Sequence, residues 1–253
     1  MEGDLHLGGR VIVITGASAG LGEQFARAVA NAGGTPVLAA RRLERLEALA
    51  AEIGGDCMPV ACNVVDAADR DRLLAAVVER FGRIDGLVNN AGAEDIRPAL
   101  EQSAEDFAEL LDVNLVAPFA LARDVAAAMR EAGGGSIVNI ASVAGIIPLG
   151  MVPHASYVAS KTGLVGLTRE LASQWGRYGI RVNAIAPGAF DTAMSDGFWK
   201  TERAVEWLRR SIPLRRAGRL DDVNALLLFL LGPNSGYITG QTIAVDGGLS
   251  AAL

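Results

Sequence analysis

RVIVITGASAGLGEQFARAVANAGG, residues 10–34, is the stretch that decides the fold. Its first part, RVIVIT (10–15), is too short for a helix and rich in Val and Ile, so it reads as a strand. Its last part, GEQFARAVANAGG (22–34), spaces Phe25, Val29 and Ala32 as one helix face and ends on glycines. Between them TGASAGLG (15–22) supplies Gly16, Gly20 and Gly22. Glycines there permit a tight turn and let the backbone approach a ligand closely. The helix that follows offers free N–H groups and a positive dipole end, which suit a pyrophosphate. A glycine-rich turn alone is a weak signal, but a strand running through it into a helix is the context a dinucleotide site requires.

The same alternation continues along the chain. PVLAA (36–40), CMPVAC (57–62), DGLVNN (85–90), SIVNIA (136–141), RVNAIA (181–186) and QTIAV (241–245) also read as strands. They lack clean polar alternation, as strands buried on both faces do. RLERLEALAAEIGG (42–55) and AADRDRLLAAVVERFG (67–82) read as helices. The long segment 106–135 is one extended or two abutting helices, with Pro118 as the expected bend. The pattern predicts an α/β, doubly wound parallel sheet with right-handed crossovers, spanning residues 1–253 as one domain.

Bulk properties exclude other classes. The net charge is −6 and no basic cluster exceeds an Arg pair, which argues against nucleic-acid binding. No window nears ~18 uninterrupted apolar residues, so no membrane span is expected. MEGDLHLGG reads as no signal peptide. Cys57 and Cys62 are too few for a disulfide framework and read as small buried side chains in a reducing, cytoplasmic setting. His6 and His154 have no ligand partner at useful spacing, so no metal is expected.

The chemistry lies in ASYVASKTG (155–163), where Tyr157 stands four residues before Lys161. On a helix the two share a face. A unit charge at ~4 Å, with an effective dielectric of ~20, is worth ~4 kcal/mol, or ~3 pKa units. That reasoning predicts a phenol lowered from ~10 to near neutrality, where a general acid/base works best. Ser142 closes the strand 136–141, and its hydroxyl can orient a substrate carbonyl oxygen.

The G-x-x-x-G-x-G spacing, taken with Tyr157 and Lys161, resembles the short-chain dehydrogenase/reductase family. LVNNAG (87–92), VNL (113–115), SIVNIASVAG (136–145), YVASK (157–161), GIRVNAIAPGAFDTAM (179–194) and GYITGQTIAVDGG (236–248) match family motifs in order. The resemblance implies a Rossmann-type sheet of about seven strands in the order 3-2-1-4-5-6-7, and a catalytic set of Asn114, Ser142, Tyr157 and Lys161. In that set Asn114 bends a helix and holds a water behind the lysine, and Lys161 restores the tyrosine's proton through the ribose hydroxyl, that water and Asn114. It implies a nicotinamide dinucleotide held by Gly16, Ser18, Gly20, Leu21, Gly22, Arg41, Arg42, Asn63, Val64, Asn90, Ala91, Gly92, Tyr157 and Lys161. Pro187 and Gly188 would shape the wall by the nicotinamide, and Thr192 would hold the carboxamide.

NADP(H) is favoured over NAD(H). Ala40 ends the second strand where an acidic residue would bind a ribose 2′-hydroxyl and repel a 2′-phosphate. Arg41 offers a planar fork of donors instead, while Arg42 fits better as the start of a solvated helix. Two positions depart from the pattern: Ala19, where many NADP users carry a basic residue, and Asn63, where an Asp commonly contacts the adenine.

On the substrate side VAGIIPLGMVPHAS (143–156) is mostly apolar and uncharged. Ile147, His154, Phe190, Phe198 and Trp199, with Ser142 and Tyr157, are the expected lining. They predict a neutral, rather hydrophobic ketone or aldehyde, or the matching secondary alcohol. The alternatives are a 3-oxoacyl-[acyl-carrier-protein] reductase and a cofactor-sensing regulator without turnover. A homotetramer is expected from apolar surface on the helices of 101–132 and 155–178.

Overall fold

The computed structural model describes residues 5–148, 152–190 and 201–252. Strands β1 (Val11–Thr15), β2 (Thr35–Ala40), β3 (Met58–Ala61), β4 (Gly86–Asn89), β5 (Gly135–Ile140), β6 (Ile180–Pro187) and β7 (Thr242–Val245) form one sheet in the order β3-β2-β1-β4-β5-β6-β7. Every pairing is parallel, from Val11 opposite Thr35 at β1–β2 to Pro187 opposite Val245 at β6–β7. Helices α1 (Gly20–Asn31), α2 (Leu43–Ile53), α3 (Ala67–Phe81), α4 (Ala104–Leu111), α5 (Ala117–Glu131) and α6 (Ala155–Trp175) cross between strands, and α7 (Glu202–Ser211) and α8 (Asn224–Leu231) lie between β6 and β7. All seven strands coincide with the apolar runs to within two residues.

Burial on both faces explains why those runs do not alternate with polar residues. Along β1, Ile12 and Ile14 join Phe25 of α1, Leu46 of α2 and Leu227 of α8 on one face. Val11 and Val13 join Leu73 of α3, Val125 of α5 and Leu171 of α6 on the other. Each such side chain is worth roughly 1.5–3 kcal/mol of hydrophobic stabilisation, so either face alone would leave half of it unused. Cys57 and Cys62 flank β3, and burial pushes both thiols up to about 11, which suits inert packing groups.

The sheet order reverses between β1 and β4, and in parallel sheets of this kind a crevice opens at the C-terminal ends of those strands. Thr15, Asn89, Ile140 and Pro187 end their strands along that edge.

The segment after Asp106 is not one regular helix. Between α4 and α5, Asp112–Val116 widens into a π turn, closed by the Ala117 N–H on the Asp112 carbonyl. Pro118 explains the position: it has no N–H to give the carbonyl four residues back, and its ring would press on that carbonyl. The residue four back is Asn114. The irregularity therefore falls one turn before the expected bend, and it turns a fully buried Asn114 toward β4's exit.

Candidate active site

Gly16 and Gly20 take positive φ values of 68° and 59°, so the β1–α1 turn needs glycine at both. Gly22 is demanded by space: a β-carbon there would lie 2.6 Å from Asn90 Nδ2 and closer still to the Gly16 carbonyl oxygen. The helix begins after Ala19 with no side-chain cap, so its first N–H groups remain for a ligand. These are the properties of a pyrophosphate cradle, and the residues present fit a dinucleotide. Replacing Gly22 by Ala is expected to weaken NADPH binding by tenfold or more (~1.4 kcal/mol), read by nucleotide fluorescence titration, with the circular-dichroism spectrum unchanged.

Asn90 braces this turn. Its Nδ2 donates to the Thr15 carbonyl at 2.9 Å and to the Gly16 carbonyl at 3.4 Å. The N–H groups of Asn90 and Ala91 both donate to Thr15 Oγ1 at 3.0 Å. Thr15 thus fastens β4's exit to the glycine turn, a role that its place in the motif did not reveal. The amide donor of Asn90 is thus spent on the protein backbone at the glycine turn. Val64 and Ala91 share a narrow crevice with Thr15 and Asn89, and the Asn63 N–H donates to Asp69 at 2.7 Å.

At the end of β2, Arg42 stands at the start of α2, as the sequence suggests. Arg42 reaches back to the glycine turn, its Nη2 donating to Ser18 Oγ at 2.8 Å. Arg41 is exposed and makes no hydrogen bond or ion pair among the described residues.

Ser142, Tyr157, Lys161 and Asn114 converge at the ends of β4 and β5. Asn114 Oδ1 accepts from the Ala93 N–H at 2.8 Å, and its Nδ2 donates to the Ala93 carbonyl at 2.9 Å and to Ser160 Oγ at 3.1 Å. Ser160 donates in turn to the Tyr157 carbonyl at 2.7 Å, which ties the π turn to α6. Lys161 is 5 % exposed, and its Nζ donates to the Ile140 carbonyl at 2.9 Å. A β-carbon on Gly92 would lie 3.3 Å from Asn114 Oδ1 and 3.7 Å from Lys161 Nζ, so glycine keeps the approach to both open. Gly145 performs the same service for α6, since a β-carbon there would lie 2.8 Å from the Lys161 carbonyl.

Tyr157 does not have the lowered pKa that its spacing predicts. The residue is only half-buried, but its hydroxyl is desolvated, and this burial pushes the phenol up to about 12. The hydrogen bond with Ser142 pulls it down, and the Glu94 charge adds to the rise. Lys161 is lowered to about 8 by its own burial. Its Nζ sits 5.6 Å from the Tyr157 ring centre and is held by the Ile140 carbonyl. Desolvation of both groups thus outweighs the lysine's pull, which sequence spacing alone overstated.

The expected substrate lining is split. His154 is 7 % exposed, its ring centre 5.4 Å from that of Tyr157. Its Nδ1 lies 3.4 Å from Glu94 Oε1, a partner the sequence did not suggest. Ile147 is half-exposed and touches Val143, Leu208 and their neighbours. Phe190 departs from the expectation: it is 6 % exposed and packs in the main core, where Gly218 makes room for its ring. Gly188 lies tight against Asp246, which keeps β6's exit close to β7's. Thr192, Phe198 and Trp199 fall outside the described residues.

Comparison with known proteins agrees with this geometry. A family model described as Enoyl-(Acyl carrier protein) reductase matches residues 16–250. The D-threitol dehydrogenase of Mycolicibacterium smegmatis is 39 % identical over 248 residues, covering 97 % of this chain and 94 % of that protein. The chain belongs to the short-chain dehydrogenase/reductase family. As a family member it is a nicotinamide-dependent oxidoreductase acting between alcohol and carbonyl. A 3-oxoacyl-[acyl-carrier-protein] reductase of Thermotoga maritima is 37 % identical, covering 97 % of this chain and 99 % of that protein. The crystal structure of a gluconate 5-dehydrogenase from Burkholderia cenocepacia in complex with NADP and tartrate superposes with a TM-score of 0.93 at 34 % identity, covering 99 % and 98 % of the two chains.

Proposed function

We propose that this protein is an NADP(H)-dependent carbonyl reductase and secondary-alcohol dehydrogenase for neutral substrates, with the whole chain working as one catalytic domain. The observation that carries the reading is Tyr157 set between Ser142 and a buried Lys161, the lysine flanked by Gly92 and Asn114. When bound, the nicotinamide supplies or accepts the hydride. Ser142 holds the substrate oxygen, and Tyr157 gives that oxygen its proton in reduction and takes it back in oxidation. Lys161, protonated below about pH 8, replaces the proton that Tyr157 spends. Glu94, whose carboxylate lies beside His154 and would repel an anion, supports a neutral substrate. With Phe190 in the core, Ile147 is what remains of the described apolar lining.

Three features support NADP(H): Ala40 at the end of β2, an exposed Arg41 beside it with no partner among the described residues, and Arg42 on the glycine turn. The NADP-bound structural neighbour supports the same choice. Arg41→Asp is expected to raise the KM for NADPH at least tenfold and to lower that for NADH, in a spectrophotometric assay of reduced-nicotinamide consumption. An unchanged NADPH preference would remove the phosphate assignment.

A second reading, reduction of a 3-oxoacyl group on an acyl carrier protein, is favoured by the Thermotoga maritima relative. Turnover of an acetoacetyl carrier protein far above that of free ketones would select it. Exposed apolar side chains at Val116 and Phe119, 50 % and 40 % exposed, support assembly into a homotetramer, which light scattering coupled to size exclusion tests.

A further inference from the structure

His154 and Glu94 lie 60 residues apart in sequence, and the fold brings them together on purpose-built supports. Glu94 stands on the loop after β4, and that loop is pinned at several points. Asp95 accepts from Arg97 and from Gln102, both at 2.7 Å. Arg97 also reaches Asp106 of α4 at 2.7 Å, and Gln102 donates to Ser156 Oγ of α6 at 2.7 Å. The backbones of Arg97 and His154 bridge directly. The loop is thus fixed against the start of α6, where His154 is the residue before the first helical turn.

The ring's chemistry is set by this neighbour. A carboxylate only accepts hydrogen bonds, so the contact at 3.4 Å is a hydrogen bond when His154 Nδ1 carries the proton. Nε2 of the neutral ring is then an acceptor. That atom is buried and has no partner among the described residues. A buried acceptor without a donor is uncommon in a folded protein, and each instance asks for an explanation. This one belongs to a ring packed against Tyr157, with centres 5.4 Å apart and planes inclined by 32°.

We propose that His154 Nε2 accepts a hydrogen bond from a second hydroxyl of the substrate, carried on the carbon next to the reacting carbon. The inference rests on the carbonyl-reductase reading above and narrows it to α-hydroxy ketones and the vicinal diols they become. Glu94 is the positioning residue: it fixes which ring nitrogen carries the proton and so presents Nε2 as an acceptor. A substrate lacking the second hydroxyl leaves that acceptor unpaired, and sites built to bind a hydroxyl discriminate strongly against analogues without it.

The test compares acetoin with butanone, two small ketones that differ by one hydroxyl, using NADPH and the intact protein. The wild type is expected to favour acetoin in kcat/KM by at least about tenfold. In His154→Phe that ratio falls to near one, whatever the change does to the rate both ketones share. In Glu94→Leu, which frees the ring's tautomer without removing it, the ratio falls to an intermediate value. NADPH fluorescence titration of each variant reports that the fold is kept. Butanone turned over by the wild type with no acetoin preference overturns this inference and leaves the carbonyl-reductase reading standing. An acetoin preference that persists in His154→Phe overturns it equally. Bound NADPH with neither ketone reduced removes the carbonyl-reductase reading and this inference with it.

Discussion

Tyr157→Phe is expected to lower kcat for ketone reduction by ~10²–10⁴-fold, the range that positioned acid–base groups contribute. The phenol stands beside Ser142 and carries a transferable proton, and burial keeps that proton in place, with the pKa up at about 12. Phenylalanine keeps the ring, its contact with His154 and its place over Lys161 while removing only the hydroxyl. The glycine turn and Arg42 are untouched, so NADPH should bind within about threefold of the wild type, a difference of under ~1 kcal/mol. Loss of kcat with affinity retained marks an interaction made in the transition state. A parallel loss of both would instead mean that the ring's absence of a hydroxyl had disturbed the site's packing.

Lys161→Met is expected to be nearly inactive and yet at least as stable as the wild type. Burial lowers the lysine from 10.5 to about 8. The folded protein therefore favours the neutral amine, and holding the ammonium at pH 7 costs on the order of 3 kcal/mol relative to the unfolded chain. That cost is full below about pH 8 and fades as pH rises toward the unfolded value, so the lysine destabilises most at neutral and acid pH. Methionine removes the charge but orphans the Ile140 carbonyl, a loss of ~1–3 kcal/mol. The two terms nearly cancel, with the balance toward a higher melting temperature at pH 7 and a smaller gain at pH 9. Activity moves the opposite way. In the wild type kcat for reduction is expected to fall as pH rises through about 8, where Lys161 gives up the proton it must return to Tyr157. In the variant the residual rate is at least ~10²-fold lower and that limb is gone.

Most of the fold was legible because its signal is local. A strand buried on both faces does not alternate with polar residues, and the buried runs of β1, β2 and β4 at the middle of the sheet show this. The glycine turn was legible for the same reason, since Gly16 and Gly20 meet a backbone demand that no other residue meets cheaply. What stayed hidden depends on neighbours distant in sequence. Pro118 announced a bend, but the π turn forms at its helical partner four residues back, where a carbonyl loses its donor. Phe190 read as pocket because it follows Pro187 and Gly188, and only Gly218 shows the space that admits its ring to the core. Thr15 and Glu94 act through residues more than half a hundred positions away. Spacing put Lys161 beside Tyr157, but it carried no information about desolvation, and desolvation decides the sign of the tyrosine's shift.

The account turns on Tyr157 as the carrier of the transferred proton, and its ionisation can be followed directly. The measurement is the phenolate absorbance of the wild type minus that of Tyr157→Phe across a pH titration, without and with saturating NADP⁺. The protein alone should show no Tyr157 phenolate below about pH 10, because burial holds the phenol protonated. With the oxidised cofactor the phenolate should appear at least ~2 pH units lower, as expected of a positive charge placed a few ångströms away. A phenolate at neutral pH in the protein alone, or a titration that the cofactor leaves unmoved, would contradict the account.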